Sequence, residues 1–192
     1  MRIVGGQWRG RALEPPRGRE VSRPTTDRAR EACASMVASA LPEGIEGIRV
    51  LDAFAGSGAL GIEMLSRGAA FAAFLDVDRG AAALVRRNLE RLGCDPARYR
   101  VGCLDAVKAA RRGRIAGGPF DLVLMDPPYA LGAVPGEAVL GGLLAAGLLV
   151  PGAVALFERS SASTPPLAVP GFEHVREKRY GIAAVDLLRL VG

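Results

Sequence analysis

From Ile48 onward the chain alternates short apolar runs with amphipathic segments, and no other feature limits its architecture as tightly. The runs in "IRVLDAF", "FAAFLDV", "RYRVGCL", "FDLVLMD" and "AVALFER" have the length of buried strands. Between them, helical segments are expected at 59–66, 79–92, 105–112 and 135–146. Strands separated by helices make right-handed βαβ crossovers, and so a mainly parallel sheet covered on both faces. The last two strands, in "EHVREKRYG" and "AAVDLLRLV", have no helix between them and should form an antiparallel pair at one edge. The expected fold class is therefore α/β, a mostly parallel seven-stranded sheet with a terminal antiparallel hairpin.

The segment before this pattern reads differently. "RIVGGQWRGRAL" predicts a small β-hairpin around a Gly-Gly pair, and "EPPRGREVSRP" predicts an irregular loop. In "TTDRAREACASMVASAL" a helix is expected, capped by Thr25, Thr26 or Asp27, with Ala29, Cys33, Met36, Val37 and Ala40 on its apolar side. Pro42 and Gly44 stop it. The chain thus divides into a basic extension of hairpin and helix over residues 1–44 and a principal domain over 45–192.

Net charge is +5, and the first 40 residues hold eight arginines against four acids, so +4 of it lies there. Arginine suits bidentate phosphate contacts. Trp8 among Arg2, Arg9 and Arg11, with Arg23 and Arg28 following, suits phosphate contact plus base stacking; a solvated surface arm is the rival reading.

At 192 residues the chain can fill one core. No run reaches the roughly 18 apolar residues of a membrane span, and "MRIVGGQWRGR" lacks the apolar segment of a secretory signal, which predicts a cytoplasmic protein. Cys33, Cys94 and Cys103 have no C-x-x-C spacing, and the single histidine, His174, supports neither a histidine metal site nor a Ser-His-Asp triad.

The chemistry must lie elsewhere. In "VLDAFAGSGALG", Gly56, Gly58 and Gly61 satisfy G-x-G-x-x-G between a strand and a helix, where glycines allow close approach of backbone to a ligand. A pyrophosphate is one such ligand, but Asp52 directly before the loop would repel it and favour a cationic group, such as a sulfonium carrying an amino-acid tail. Asp76 in "FLDVD" is placed to accept from ribose hydroxyls, with Asp78 the alternative. Asp105 is placed either to meet an adenine amino group or to cap the next helix.

In "LVLMDPPYAL" a buried strand ends in Asp126, Pro127, Pro128 and Tyr129. Two prolines fix φ at successive residues, so the backbone leaves the sheet as a stiff turn. A carboxylate and a backbone carbonyl accepting both N–H bonds of an exocyclic amine would orient this poor nucleophile, and the tyrosine offers a stacking face worth roughly 1–3 kcal/mol per base.

The parallel sheet with its closing hairpin resembles class I S-adenosylmethionine-dependent methyltransferases, which have a Rossmann-like fold. More narrowly, "RIVGGQWRGR", "RPTTDRAREA", "LDAFAGSGALGIEMLSRGA", "DLVLMDPPY" and the late "REK" resemble the RsmD family of bacterial 16S ribosomal RNA guanine-N2 methyltransferases. The resemblance implies that Asp126, Pro127, Pro128 and Tyr129 form the amine site and that Asp52, Gly56, Gly58, Asp76 and Asp105 hold S-adenosyl-L-methionine. It implies methyl transfer to one guanine of 16S rRNA in the small ribosomal subunit or an assembly intermediate, with the amino-terminal arm gripping RNA. A monomer is expected, with no metal and no membrane partner. Asp76 stands where such sequences commonly carry glutamate, which alters reach, and Tyr129 keeps the stacking face that other members supply with phenylalanine. Rival readings are a DNA adenine-N6 methyltransferase, which shares the amine chemistry, an NAD-dependent oxidoreductase, which shares the glycine pattern, and a non-enzymatic RNA chaperone.

Overall fold

The computed structural model describes residues 1–16, 27–162 and 166–191. Helix α1 (Asp27–Ala40) comes first. There follow β1 (Arg49–Asp52), α2 (Ala59–Ser66), β2 (Phe71–Asp76), α3 (Arg79–Leu92), β3 (Tyr99–Cys103), α4 (Ala106–Arg111), β4 (Phe120–Met125), α5 (Val134–Ala145), β5 (Leu149–Ser160), β6 (Phe172–Tyr180) and β7 (Ala183–Leu190). They form one seven-stranded sheet in the order β3-β2-β1-β4-β5-β7-β6. The first five strands are mutually parallel, while β7 runs antiparallel between β5 and β6. The α/β reading and its closing hairpin are borne out. The hairpin folds back so that its second strand, not its first, joins the parallel sheet.

Alternation along the strands builds two cores. Val50, Phe74, Leu122, Leu124, Leu156 and Leu187 face one cluster with α1, α2 and α3. Leu51, Leu75, Val123, Met125, Phe157 and Leu188 face another with α4 and α5. Side chains one residue apart point to opposite faces, so each strand apolar at consecutive positions fills both. In α1 the buried Ala29, Cys33, Met36, Val37 and Ala40 recur at helical spacing, as expected. Asp27 is its first residue, and Thr25 and Thr26, the other expected caps, lie outside the described residues.

The amino-terminal segment turns back on itself but has only an isolated antiparallel bridge, Arg2 with Ala12, in place of paired strands. Ile3, Trp8 and Leu13 are buried in the same cluster as β1, α2 and α3. Among the described residues no helix is long and apolar enough to cross a membrane.

Candidate active site at the carboxyl ends of the strands

The chain runs from β1 outward through β2 to β3, then returns to lay β4 on the other side of β1. Such a reversal opens a crevice beyond the carboxyl ends of the strands, where ligands of open α/β sheets bind. Asp52 ends β1, Asp76 ends β2, Asp126 follows β4, and Glu158 lies in β5 one residue past the Met125 to Phe157 pairing. Four acids therefore converge on the mouth of the sheet.

The glycine loop is built around two of them. Gly56 and Gly58 take φ of 54° and 78°, a left-handed conformation that costs a side-chain-bearing residue about 1–2 kcal/mol. Asp76 accepts from the Gly56 amide at 2.8 Å and from the Asp78 amide at 2.9 Å. Asp52 is buried and accepts from the Gly61 amide at 3.1 Å. Burial raises the Asp52 carboxyl to about 7, opposed by that amide and reinforced by the Asp76 charge. Gly61 is needed for contact: a Cβ there would sit 2.4 Å from the Phe74 ring.

Beyond β4, Pro127 is buried, and Tyr129 begins a short 3-10 turn, Tyr129–Leu131. The Leu131 amide donates to the Pro128 carbonyl at 2.9 Å. The Tyr129 hydroxyl donates to Glu158 Oε1 at 2.8 Å, which fixes the ring against β5. Asp126 is reachable by solvent yet hemmed in by protein, and this desolvation, with the charges of Glu158 and Asp52, raises its carboxyl well above the usual carboxylate range. Desolvation also raises Glu158, against the pull of the Tyr129 hydrogen bond. Among the described residues none of Asp52, Asp76, Asp126 and Glu158 has a cation within ion-pair distance.

Two other acids do local work. Asp78 caps α3, accepting from the Gly80 amide at 2.6 Å and the Ala81 amide at 3.2 Å. Asp105 caps α4 through the Lys108 amide at 3.0 Å, and its other oxygen lies 3.6 Å from Lys108 Nζ. Both match the capping alternative for these residues.

The amino-terminal arm needs correction. Trp8 is only 8% exposed and packs in the core, with its amide donating to Ser66 Oγ at 3.0 Å, so its indole has no free face for a base. The segment is docked along α2 and α3. Val4 and Gly5 donate their amides to the fully buried Glu63, and Glu14 and Asn88 exchange hydrogen bonds. Arg11 donates to the Arg91 carbonyl near the far end of α3, away from the mouth. Arg9 is exposed, and Arg2 pairs with Asp27 at the start of α1, close in sequence to exposed Arg28. Arg23 lies outside the described residues.

Glu158 was missed. In "AVALFER" it reads as an ordinary polar residue of a strand, and only the β4 to β5 register brings it beside Asp126.

A family model described as conserved hypothetical protein 95 matches residues 1–189. The chain is 35% identical over 187 residues to ribosomal RNA small subunit methyltransferase D of Escherichia coli K12, covering 97% of this chain and 88% of that protein. To the Haemophilus influenzae protein of the same description it is 32% identical over 190 residues, with 97% and 92% covered. A solved Escherichia coli structure, described as a candidate methyltransferase, yhhF, superposes with a TM-score of 0.81 at 33% identity, covering 100% of this chain and 98% of that one.

Proposed function

This chain belongs to the family described as conserved hypothetical protein 95, the RsmD family, and from that membership we propose that it transfers a methyl group from S-adenosyl-L-methionine to the N2 amine of a guanine in 16S ribosomal RNA of the small subunit. The observation that carries the reading is the placement of Asp126, Tyr129 and Glu158 at the carboxyl ends of β4 and β5, next to β1 with its Asp52 and the glycine loop.

The residues at this mouth fit the cofactor. Two positive-φ glycines let backbone approach a ligand, and a Cβ on Gly56 would meet only open space. Unpaired carboxylates favour the sulfonium and ammonium charges and disfavour a pyrophosphate, which argues against a nicotinamide dinucleotide. When bound, S-adenosylmethionine supplies an electrophilic methyl carbon.

In this reading Asp52 faces the cationic end and Asp76 keeps lone pairs for the ribose hydroxyls. Asp105, whose carboxylate caps α4, borders the adenine. Asp126 and the Pro127 carbonyl accept the N–H bonds of the target amine, the Pro128 carbonyl being used inside the turn. Tyr129 stacks on the base. Asp126, with its raised proton affinity, holds the proton that the amine sheds. Guanine presents donors at both N1 and N2, so two adjacent carboxylates, Asp126 and Glu158, favour it over adenine, whose N1 lone pair would meet an acceptor. The base must be unpaired or flipped out of its stack.

Residues 1–44, whose exposed Arg9 and Arg28 are proposed to contribute to RNA contact, and residues 45–192, which carry the chemistry, share one apolar cluster. We place the enzyme in the cytoplasm as a monomer acting on the small subunit or its assembly intermediate. The test is incubation with labelled cofactor and undermethylated small subunits, naked ribosomal RNA or DNA, with the product base identified by mass spectrometry. Expected is N2-methylguanine in small-subunit RNA. Methyladenine in DNA, or binding of a nicotinamide dinucleotide without methyl transfer, would overturn the reading.

A further inference from the structure

The late "REK" motif, Arg176-Glu177-Lys178, has no part in the chemistry above. Strand β6 pairs with β7 so that Arg176 lies opposite Leu187, Lys178 opposite Val185 and Tyr180 opposite Ala183. Cross-strand partners share a face, so Lys178 and Tyr180 lie on the side of Val185 and Leu187, which α1 covers. Between α1 and β6 runs an open groove of about 360 Å³ lined by Arg28, Ala32, Lys178, Arg179 and Tyr180.

Among the described residues, three exposed cations and no acid line it. Arg179 is drawn to Glu177 at 2.6 Å. Arg28 and Lys178 have no carboxylate within ion-pair distance among the described residues. The Lys178 ammonium stands 5.8 Å from the centre of the Tyr180 ring, within reach of a cation–π attraction that holds it over the wall.

The groove adjoins the mouth. Cys33 follows Ala32 in α1, and its thiol is pushed up to about 12, first by burial and then by the carboxylates of Glu158 and Asp126, against the opposing charges of Lys178 and Arg30. Glu158 pairs with Val185 across β5 and β7, and Val185 with Lys178 across β7 and β6, so the mouth carboxylate and the groove cation stand in one row on the same face of the sheet. This adjacency answers an electrostatic difficulty. A mouth with four carboxylates repels a polyanion, so a phosphate backbone needs cations close by, and neither Trp8 nor Arg11 reaches there.

We infer that the groove between α1 and β6 binds backbone phosphates of the RNA strand that carries the target base, with Arg28 and Lys178 as the main contacts and Arg179 at the rim. The inference rests on the RNA methyltransferase reading and names the surface that would deliver the strand.

The test measures binding of the full-length protein to an unmethylated small-subunit ribosomal RNA transcript between about 50 and 200 mM salt. Arg28→Ala, Lys178→Ala and Lys178→Glu would be compared with wild type and with Arg112→Glu, an exposed position beyond α4. Lys178→Glu should weaken binding by roughly tenfold or more, and each lost contact should reduce the salt slope by roughly 0.7. KM for RNA should rise while kcat at saturation, calorimetric affinity for S-adenosylmethionine and the thermal melt stay as in wild type. Arg112→Glu should bind as wild type does. Unchanged RNA affinity and salt slope in the groove variants would overturn the inference while leaving the functional reading intact. Unchanged affinity for naked RNA with loss of activity on assembled subunits would assign the groove to a ribosomal protein and overturn it too. Failure of the wild type to bind or methylate any RNA would remove the reading itself.

Discussion

Tyr129 and Glu158, 29 positions apart in the chain, meet through a 2.8 Å hydrogen bond from the phenol to the carboxylate. The bond ties the proline turn after β4 to its neighbour β5. It holds the tyrosine ring at a set angle and keeps a second acid beside Asp126.

Ring and hydroxyl can be separated by substitution. Tyr129→Phe keeps the stacking face and loses the tether, and should lower kcat severalfold with little change in RNA affinity. Tyr129→Ala loses both, and the missing stack, roughly 1–3 kcal/mol, should raise KM for RNA by about 5- to 150-fold. Equal kinetics for the two variants would show that the face contributes nothing.

In the proposed mechanism Asp126 serves the amine as an ionised acceptor, so activity should climb with pH as its raised carboxyl loses its proton. Desolvation is the first cause of that elevation and the Glu158 charge the second. Glu158→Gln removes the charge, and the acid limb of the pH–rate profile should move to lower pH. A limb that stays in place or moves upward would refute the coupling. Asp126→Ala should cut kcat by roughly a thousandfold, within the span assigned to a positioned proton acceptor, with cofactor affinity retained.

Asp52 predicts a stability profile for the ligand-free protein. Its carboxyl is raised from 3.8 to about 7, so between these values the folded state binds more protons than the unfolded state. Stability should therefore fall as pH rises from about 4 to about 7 and level off above. Asp126 and Glu158, also raised, act with the same sign. Thermal melts of wild type and Asp52→Asn across this window provide the check, the variant showing the flatter curve. A wild-type melting temperature that rises over the same range would contradict the assignment.

Gly61 and Gly56 should respond differently to alanine. At Gly61 the new methyl would lie 2.4 Å from the Phe74 ring and 3.0 Å from Asp52 Oδ2, forcing α2 away from β2. Overpacking of this kind costs about 1–3 kcal/mol, and displacement of the Asp52 bond should weaken cofactor binding as well. At Gly56 there is space, and the cost is the conformational ~1–2 kcal/mol of a left-handed residue. Denaturant melts and calorimetry would separate the two. Identical losses would mean that the close helix–strand contact is not the limiting factor.

The elements that announce themselves locally were legible. Asp52, Asp76 and Asp126 each end an apolar run, and a strand end in an open α/β sheet is where ligands gather. Glu158 was hidden because its position depends on register between β4 and β5, a tertiary property. The placement of β7 inside the sheet is written in composition: "AAVDLLRL" is apolar on both faces, whereas "FEHVREKRY" is dense in charge, and charged strands belong at edges. Trp8 is ambiguous in the sequence because an aromatic among arginines looks the same whether its ring faces solvent or core. Here the backbone around it is claimed by α2, through Glu63 and Ser66, and the indole follows it inward.

Glu63 has a consequence for anyone who alters the front of the chain. It is a carboxylate with no solvent exposure, and its oxygens are satisfied by the amides of Val4 and Gly5 and by the Arg67 guanidinium. Removing Val4 and Gly5 would leave that carboxylate with Arg67 alone, and the packing of α2 would loosen from within. Val4 and Gly5 are thus a keystone of the body that carries the glycine loop.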